Sequence, residues 1–418
     1  MQQDKTFLGT EPVGQLLRRL AIPTVIAQLV NMLYNIVDRI YIGHIPEVGS
    51  LALTGVGVCL PIILIVSAFA CFTASGGAPR ASIYMGRDDM DSAEKTLGGC
   101  FTLQIGISVV LTAVLLLWGR EALLAFGASE NTIDYAADYL HIYAFGTLFV
   151  ELTLGMNAFI TAQGFAKVGM YTVLIGAAAN IILDPIFIFA LGMGVRGAAV
   201  ATVLAQGISA VLGAVYLVRS YPELHFAPAH LKKSARRAVM NMFWAGMSMG
   251  LMSAIYNLGS VALQSSINAL GSVYITAQTA ARRMAEMYFI PGGALGISVA
   301  TFSSQNLGAG RRSRIGQSVR AALKIYFVWW LFVLAFTFLL GEPVLRLITG
   351  SSDARIISNA MLYLKISVPI IPPMAVLVIL RNMLQGIRHT VEPLLASALE
   401  LIGKVIFAVW LVPVWGYR

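Results

Sequence analysis

The chain has 418 residues, of which 58% are hydrophobic and only 12% charged, with a formal net charge of +9; its mean hydropathy is +0.77. A water-facing domain devotes about 25% of its residues to charge, so lipid must replace water over most of this surface. That composition excludes an ordinary soluble enzyme, and the scattering of the basic residues over loops excludes a nucleic-acid interface.

A membrane-crossing helix needs about 20 apolar residues. Eleven stretches satisfy this, at 15–43, 52–84, 96–118, 132–162, 168–192, 197–219, 238–267, 273–306, 316–340, 355–386 and 391–415. The ten-residue alternation of an outer-membrane barrel is absent, so the expected fold class is an all-α polytopic membrane protein. No cleavable signal stands at the start, because the first apolar stretch is too long and no small-residue cleavage site follows it. Arg18, Arg19, Arg87, Lys95, Lys232, Arg311 and Arg388 fall at the N-terminal side or in alternate loops, against Arg120, Arg196, Arg346 and Arg355 in the opposite ones. This positive-inside asymmetry predicts a multi-pass protein of the cell membrane with a cytoplasmic N-terminus.

An ionisable group within a bilayer costs about 2.5–3 kcal/mol or more, so each one requires a reason. Helix one reads NMLYNIVDRIYIG, with Asn31, Tyr34, Asn35 and Asp38 at spacings of three and four. They form one polar stripe ending in a carboxylate, which should face the interior of its bundle. The alternative for Asp38 is a pair with Arg39 near a membrane face, although adjacent helical residues point about 100° apart. Pro23, upstream in the same helix, removes a backbone hydrogen bond and provides a hinge. Cys59, Cys71 and Cys100 read as small packing residues without disulfides.

Helix five reads GAAANIILDPIFIF, and Asn180 and Asp184 share a face just before Pro185; Thr202 follows early in helix six. Two carboxylates, an amide oxygen and a hydroxyl make an all-oxygen set suited to Na⁺ or to a trapped proton. Two carboxylates brought together repel, which favours a proton held between them. No Walker loop, nucleotide fingerprint, nucleophile elbow or zinc spacing accompanies them, so neither an ATP-driven pump nor an enzyme is indicated and no cofactor is expected.

The polar segment 221–237, with two prolines and a basic cluster, is expected to be a cytoplasmic linker between an N-terminal lobe of six helices (1–220) and a C-terminal lobe (238–418). The two halves repeat at an ungapped offset of 222 residues: Tyr34 and Asn35 map onto Tyr256 and Asn257, Thr54 onto Thr276, Ser82 onto Ser304, and Gln163 and Gly164 onto Gln385 and Gly386. Six helices precede the linker, so the repeats run in the same direction and describe two pseudo-symmetric six-helix lobes with the substrate site expected between them. Gly194 and Arg196 map onto Gly416 and Arg418, so the counterpart of helix six would begin where this sequence ends. Either a twelfth helix follows residue 418, or an eleven-helix protein ends outside the cell.

The acids are not repeated: Asp38, Asn180 and Asp184 map onto Ser260, Ile402 and Ile406. The second half has charges of its own, with Gln278, Arg282 and Glu286 in helix eight and Glu400 with Lys404 in helix eleven. Neutralised pairs one turn apart account for both sets, and a role for Glu286 in substrate binding or coupling is the alternative.

The segments LYNIVDRIYIG, ITAQGFAKVGM, NIILDPIFIF, GVRGAAVAT and SQNLGAGRRSR together resemble the multidrug and toxic compound extrusion (MATE) family, in its bacterial and archaeal multidrug branch, from about residue 10 to 418. The resemblance implies two lobes that exchange H⁺ or Na⁺ for small organic, often cationic, drugs or metabolites by alternating access. It implies a cation-coupling site at Asp38, Asn180, Asp184 and Thr202, which are metal ligands if sodium is the coupling ion. It adds Tyr139 and Asn157 to a polar cavity that the stripe residues Asn31, Tyr34 and Asn35 would also line, with Tyr256, Asn257, Gln278 and Glu286 in the second lobe. The partners expected are a small-molecule substrate and membrane lipid, with no nucleic acid, and the working form expected is a monomer. The alternative function is a flippase of related fold acting on a lipid-linked precursor.

Overall fold

The computed structural model describes residues 10–219, 236–350 and 353–415. Among these it contains helices and connecting turns, with no strand. The helices are α1 (Val13–Gly43), α2 (Gly49–Gly86), α3 (Met90–Ala125), α4 (Ile133–Ala162), α5 (Ala166–Ala190), α6 (Val195–Arg219), α7 (Arg236–Asn268), α8 (Ser272–Gly308), α9 (Arg312–Thr349), α10 (Ala354–Gly386) and α11 (Val391–Val414). Each corresponds to one of the eleven apolar stretches. Nine of the described helices are long and apolar enough to cross a membrane; α7 and α8 are as long, at 33 and 37 residues, but carry more polar side chains. The expected linker 221–237 lies outside the described residues except for Arg236 and Arg237, which already form the first turn of α7. Gly416 and Arg418 also lie outside them.

Helix ends follow local chemistry. Asp89 caps α3 by accepting the Ser92 backbone N–H at 3.1 Å, and hydrogen bonds from Ser92 hold its carboxyl below the usual carboxylate range. Asp353 caps α10 in the same way through the Arg355 N–H at 2.8 Å. Gly350, at φ +60°, ends α9 in the left-handed conformation that glycine adopts without cost.

The chain forms two compact units, one of Pro23–Met247 and one of Thr6–Ile22 with Ser248–Arg418, so α1 is divided between them at Pro23. In the first unit, α4 packs against α2, α3 and α6, because small residues let the backbones approach. A Cβ on Gly77 of α2 would collide with the Cys100 sulfur of α3, and one on Gly155 of α4 with the Gln104 side chain of α3. The Ser82 hydroxyl then ties α2 to the end of α4 by donating to the Ala162 carbonyl at 3.0 Å. In the second unit Ser304 donates to the Gly386 carbonyl at 2.7 Å, tying α8 to the end of α10. The two serines sit at matching places in the sequence repeat, and the acceptor in the second unit lies two residues further along. Outside the cores, Leu339, Leu347, Leu399 and Trp410 are exposed, as expected of a surface in contact with hydrocarbon.

The close approach at Gly77 gives a measurable expectation. Gly77→Val should destabilise the detergent-solubilised protein by about 1–3 kcal/mol, read as a lowered melting temperature. Gly57→Ala, at a position on the same helix with open space around it, should leave the melting temperature unchanged or slightly raised.

Candidate functional site

α1, α4, α5 and α6 bring their polar groups to one place inside the first unit. Asp38 of α1 is 8% exposed, Asn180 of α5 is 1% exposed and Asp184, one turn further along, is fully buried. Asn180 Nδ2 donates to Asp184 Oδ1 at 3.2 Å, and the carboxyls of Asp38 and Asp184 lie within each other's reach. Carboxylate oxygens only accept, so two neighbouring carboxyls can bond only when one of them carries a proton. Without that proton, Asp38 Oδ1, Asp184 Oδ2 and Asn180 Oδ1 are buried acceptors with no donor. Three such oxygens converging in an apolar interior need a proton or a small cation. The donor set, two carboxylates and an amide oxygen, has the hard-oxygen character that Na⁺ takes.

Around the acids stand hydroxyls and amides: Tyr34 of α1 lies near Gln206 of α6, and Tyr139 of α4 near Thr202 of α6. The Tyr139 and Tyr143 rings stack with centroids 6.3 Å apart and planes 15° apart. Arg39, exposed next to Asp38 in the chain, acts on the acid through its field. Of the residues expected at the cation site, Asn180 and Asp184 are in direct contact with Asp38 close by, and Thr202 lies near Tyr139.

The stripe on α1 is divided. Asp38 is buried and Tyr34 half-buried, whereas Asn31 and Asn35 are exposed, and Asn35 Nδ2 donates to the Asn31 carbonyl at 2.6 Å. The interior-facing part of the stripe is therefore its carboxylate end. Asn157 lies apart from the acids: it is 18 residues beyond Tyr139 on α4, and its Oδ1 accepts the Thr172 hydroxyl of α5 at 2.9 Å.

In the second unit the pairs one turn apart form. Arg282 lies 3.3 Å from Glu286, with Arg283 at 3.8 Å, so Glu286 is neutralised and half-exposed. Gln278 is buried. Lys404 Nζ lies 2.9 Å from Glu400 and 3.6 Å from the centroid of the Tyr256 ring, a cation–π contact. Tyr256 itself is exposed; the side chain of Asn257 lies outside the described residues. Arg381 of α10 joins Glu400 at 3.2 Å, making a half-buried group of two cations and one anion.

Sequence reasoning passed over Gln206, Tyr143, Glu151 and Arg381. Gln206 and Tyr143 are one turn from Thr202 and Tyr139. Glu151 and Arg381 are ionisable residues inside apolar helices, the same signal that singled out Asp38 and Asp184.

Comparison with known proteins places this architecture. A family model described as MatE matches residues 23–186 and 248–410. The chain is 23% identical over 344 residues to the probable multidrug resistance protein YpnP of Bacillus subtilis, covering 82% of this chain and 76% of that one. It is 21% identical over 409 residues to an FAD transporter of Shewanella oneidensis, covering 96% and 88%. A solved outward-facing structure of a multidrug resistance MATE family transporter superimposes with a TM-score of 0.87 at 22% identity, covering 98% of this chain and 92% of that one. The chain belongs to the MatE family and is a multi-pass membrane transporter.

Proposed function

We propose that this transporter is an antiporter of the cell membrane, with its N-terminus in the cytoplasm, which expels small organic molecules in exchange for an inward H⁺ or Na⁺. The observation that carries the proposal is the Asp38–Asp184–Asn180 group, whose buried oxygens need a cation or proton to be satisfied. An entering cation neutralises the pair in one conformation better than in the other, and this difference in affinity is the free energy that moves the carrier. Pro23 inside α1 removes a backbone hydrogen bond, which supports a hinge there, so occupancy near Asp38 changes the course of the helix. Cargo export is supported by the relative named a multidrug resistance protein.

The test is efflux of a fluorescent cation such as rhodamine 6G from proteoliposomes under separately imposed Na⁺ and pH gradients. Wild-type protein should respond to one of the two gradients. Asp38→Asn and Asp184→Asn should each lower gradient-driven efflux at least about tenfold, equivalent to roughly 1.4 kcal/mol, while dye binding survives. Wild-type efflux in both variants would remove the acids from the mechanism. The ion is identified independently by melting: at alkaline pH, replacing choline by Na⁺ at 100 times its dissociation constant should stabilise the wild type by about 2.7 kcal/mol and leave Asp38→Asn unmoved if Na⁺ is coupled. No Na⁺ effect assigns the role to H⁺.

A second reading of the cargo has its own support. The first unit offers acids, which suits cationic drugs, but Arg381 and Lys404 around Glu400 leave the second unit a net positive group beneath an exposed tyrosine, which suits a cargo carrying a carboxylate or phosphate. The relative named an FAD transporter points the same way. Melting in the presence of rhodamine 6G, carboxyfluorescein or a polyprenyl phosphate separates the cationic, anionic and lipid-precursor readings. Arg381→Gln should abolish stabilisation by the anionic dye and spare that by the cationic one.

A further inference from the structure

The first unit contains a third buried acid that the mechanism above does not use. Glu151, halfway along α4, is fully buried, and neither of its carboxyl oxygens has a hydrogen-bond partner. The nearest amide, Gln104 of α3, donates from Nε2 to the backbone carbonyl of Glu151 at 3.1 Å and not to its carboxyl. Among the described residues no Lys, Arg or His forms an ion pair with it. The titratable groups whose fields connect with it are Cys71 of α2 and Tyr143 of its own helix; α3 presents Gln104, and α6 meets this stretch of α4 through the Gln206 carbonyl, which accepts the Thr153 hydroxyl at 3.1 Å. An ionised carboxylate in such surroundings is unsupported, so in this conformation Glu151 is a neutral acid. A neutral acid kept for structure would have its O–H and C=O bonded. This one has neither bonded.

Its position sets it apart from the acid pair. Tyr139, Tyr143, Thr147 and Glu151 occur once per turn along α4, and all four are buried. Twelve residues of α-helix span about 18 Å, so Glu151 lies well removed from Asp38 along the helix. Thr147 is occupied laterally, bonded to Thr112 at 2.7 Å, so the row is not an unbroken hydrogen-bonded wire and Glu151 titrates as a site of its own.

We propose that Glu151 is a second proton-binding site of the first unit, separate from the Asp38–Asp184 pair, which is emptied and refilled once in each transport cycle. The step is a proton transfer alone: the Glu151 O–H bond breaks and the proton passes to water on the cytoplasmic side when the site opens there, and the carboxylate takes a proton from water on the opposite side before it is reburied. Charge left on Glu151 favours a cation at Asp38 and Asp184, and neutralising Glu151 favours its release. The inference deepens the antiport reading and rests on it for the cycle, but the protonated state of Glu151 does not.

The experiment counts protons. In proteoliposomes holding a trapped pH dye, proton flux is measured against rhodamine 6G efflux for wild type, Glu151→Gln and Asp38→Asn. Glutamine reproduces the shape of the neutral acid, so Glu151→Gln should keep the wild-type melting temperature and move one proton fewer per dye molecule; an unchanged count overturns the proposal. Infrared difference spectra between acid and alkaline pH, recorded on the same purified proteins, test Glu151 even if no gradient drives transport. A protonated-carboxyl band that titrates in wild type and in Asp38→Asn but is missing from Glu151→Gln supports the site. A Glu151 band that is absent or does not change with pH overturns it, and should Glu151→Gln fail to fold, Glu151→Asp serves by shifting the band. Failure of the antiport reading would appear differently, as wild-type efflux indifferent to both gradients.

Discussion

A carboxylate surrounded by hydrocarbon must be neutralised, and in the first unit that requirement governs the surroundings of Asp38, Asp184 and Glu151. The protein carries three acids in the interior of a four-helix group and provides them with very few donors. Asn180 gives one N–H; the rest of the deficit is met by pairing Asp38 with Asp184 and by leaving Glu151 as an acid. The tyrosines and Thr202 enclose the pair without neutralising it. A structural ion pair would have been cheaper to build with an arginine, as at Arg381 and Glu400 in the other unit. In the first unit, by contrast, no Lys or Arg among the described residues forms an ion pair with these three acids.

The helices, their number and their order were legible in the sequence because a membrane span is a matter of length and apolarity. Asp38, Asn180 and Asp184 were legible as well, since helical spacing put Asn180 and Asp184 on one face and the expense of burying charge required a partner. Glu151 and Arg381 were equally visible by that criterion and went unremarked because neither has a complementary residue one turn away. Arg381 finds Glu400 on a different helix, a tertiary contact that spacing does not encode. The division of the α1 stripe between buried and exposed ends depends on how much of the helix its neighbours cover, which the stripe itself does not record.

The two halves share their backbone plan more faithfully than their chemistry. The latching serines Ser82 and Ser304 occupy equivalent places, while the acids of one half are replaced by serine and isoleucine in the other. The second half has a separate charged group, drawn from α10 and α11 and carrying the opposite net sign. Duplication thus supplied a framework, and each copy was fitted with ionisable groups suited to a different polarity.

The correspondence extends to a local irregularity. α5 widens into a π-helical turn at Ile186–Ala190, where the Leu191 N–H reaches back to the Ile186 carbonyl, and α11 does the same at Phe407–Leu411, with the Val412 N–H reaching Phe407. Proline immediately precedes the first of these turns, but isoleucine precedes the second, so proline is not their common cause. A turn of this kind holds one surplus residue, and the surplus can be passed to the adjoining turn by exchanging a few neighbouring hydrogen bonds. Each such transfer rotates the helix beyond it by about 100°. Because the first π turn begins two residues after Asp184, α5 has a built-in swivel directly beneath its carboxylate, and the side chain can be re-aimed while the rod on either side stays intact.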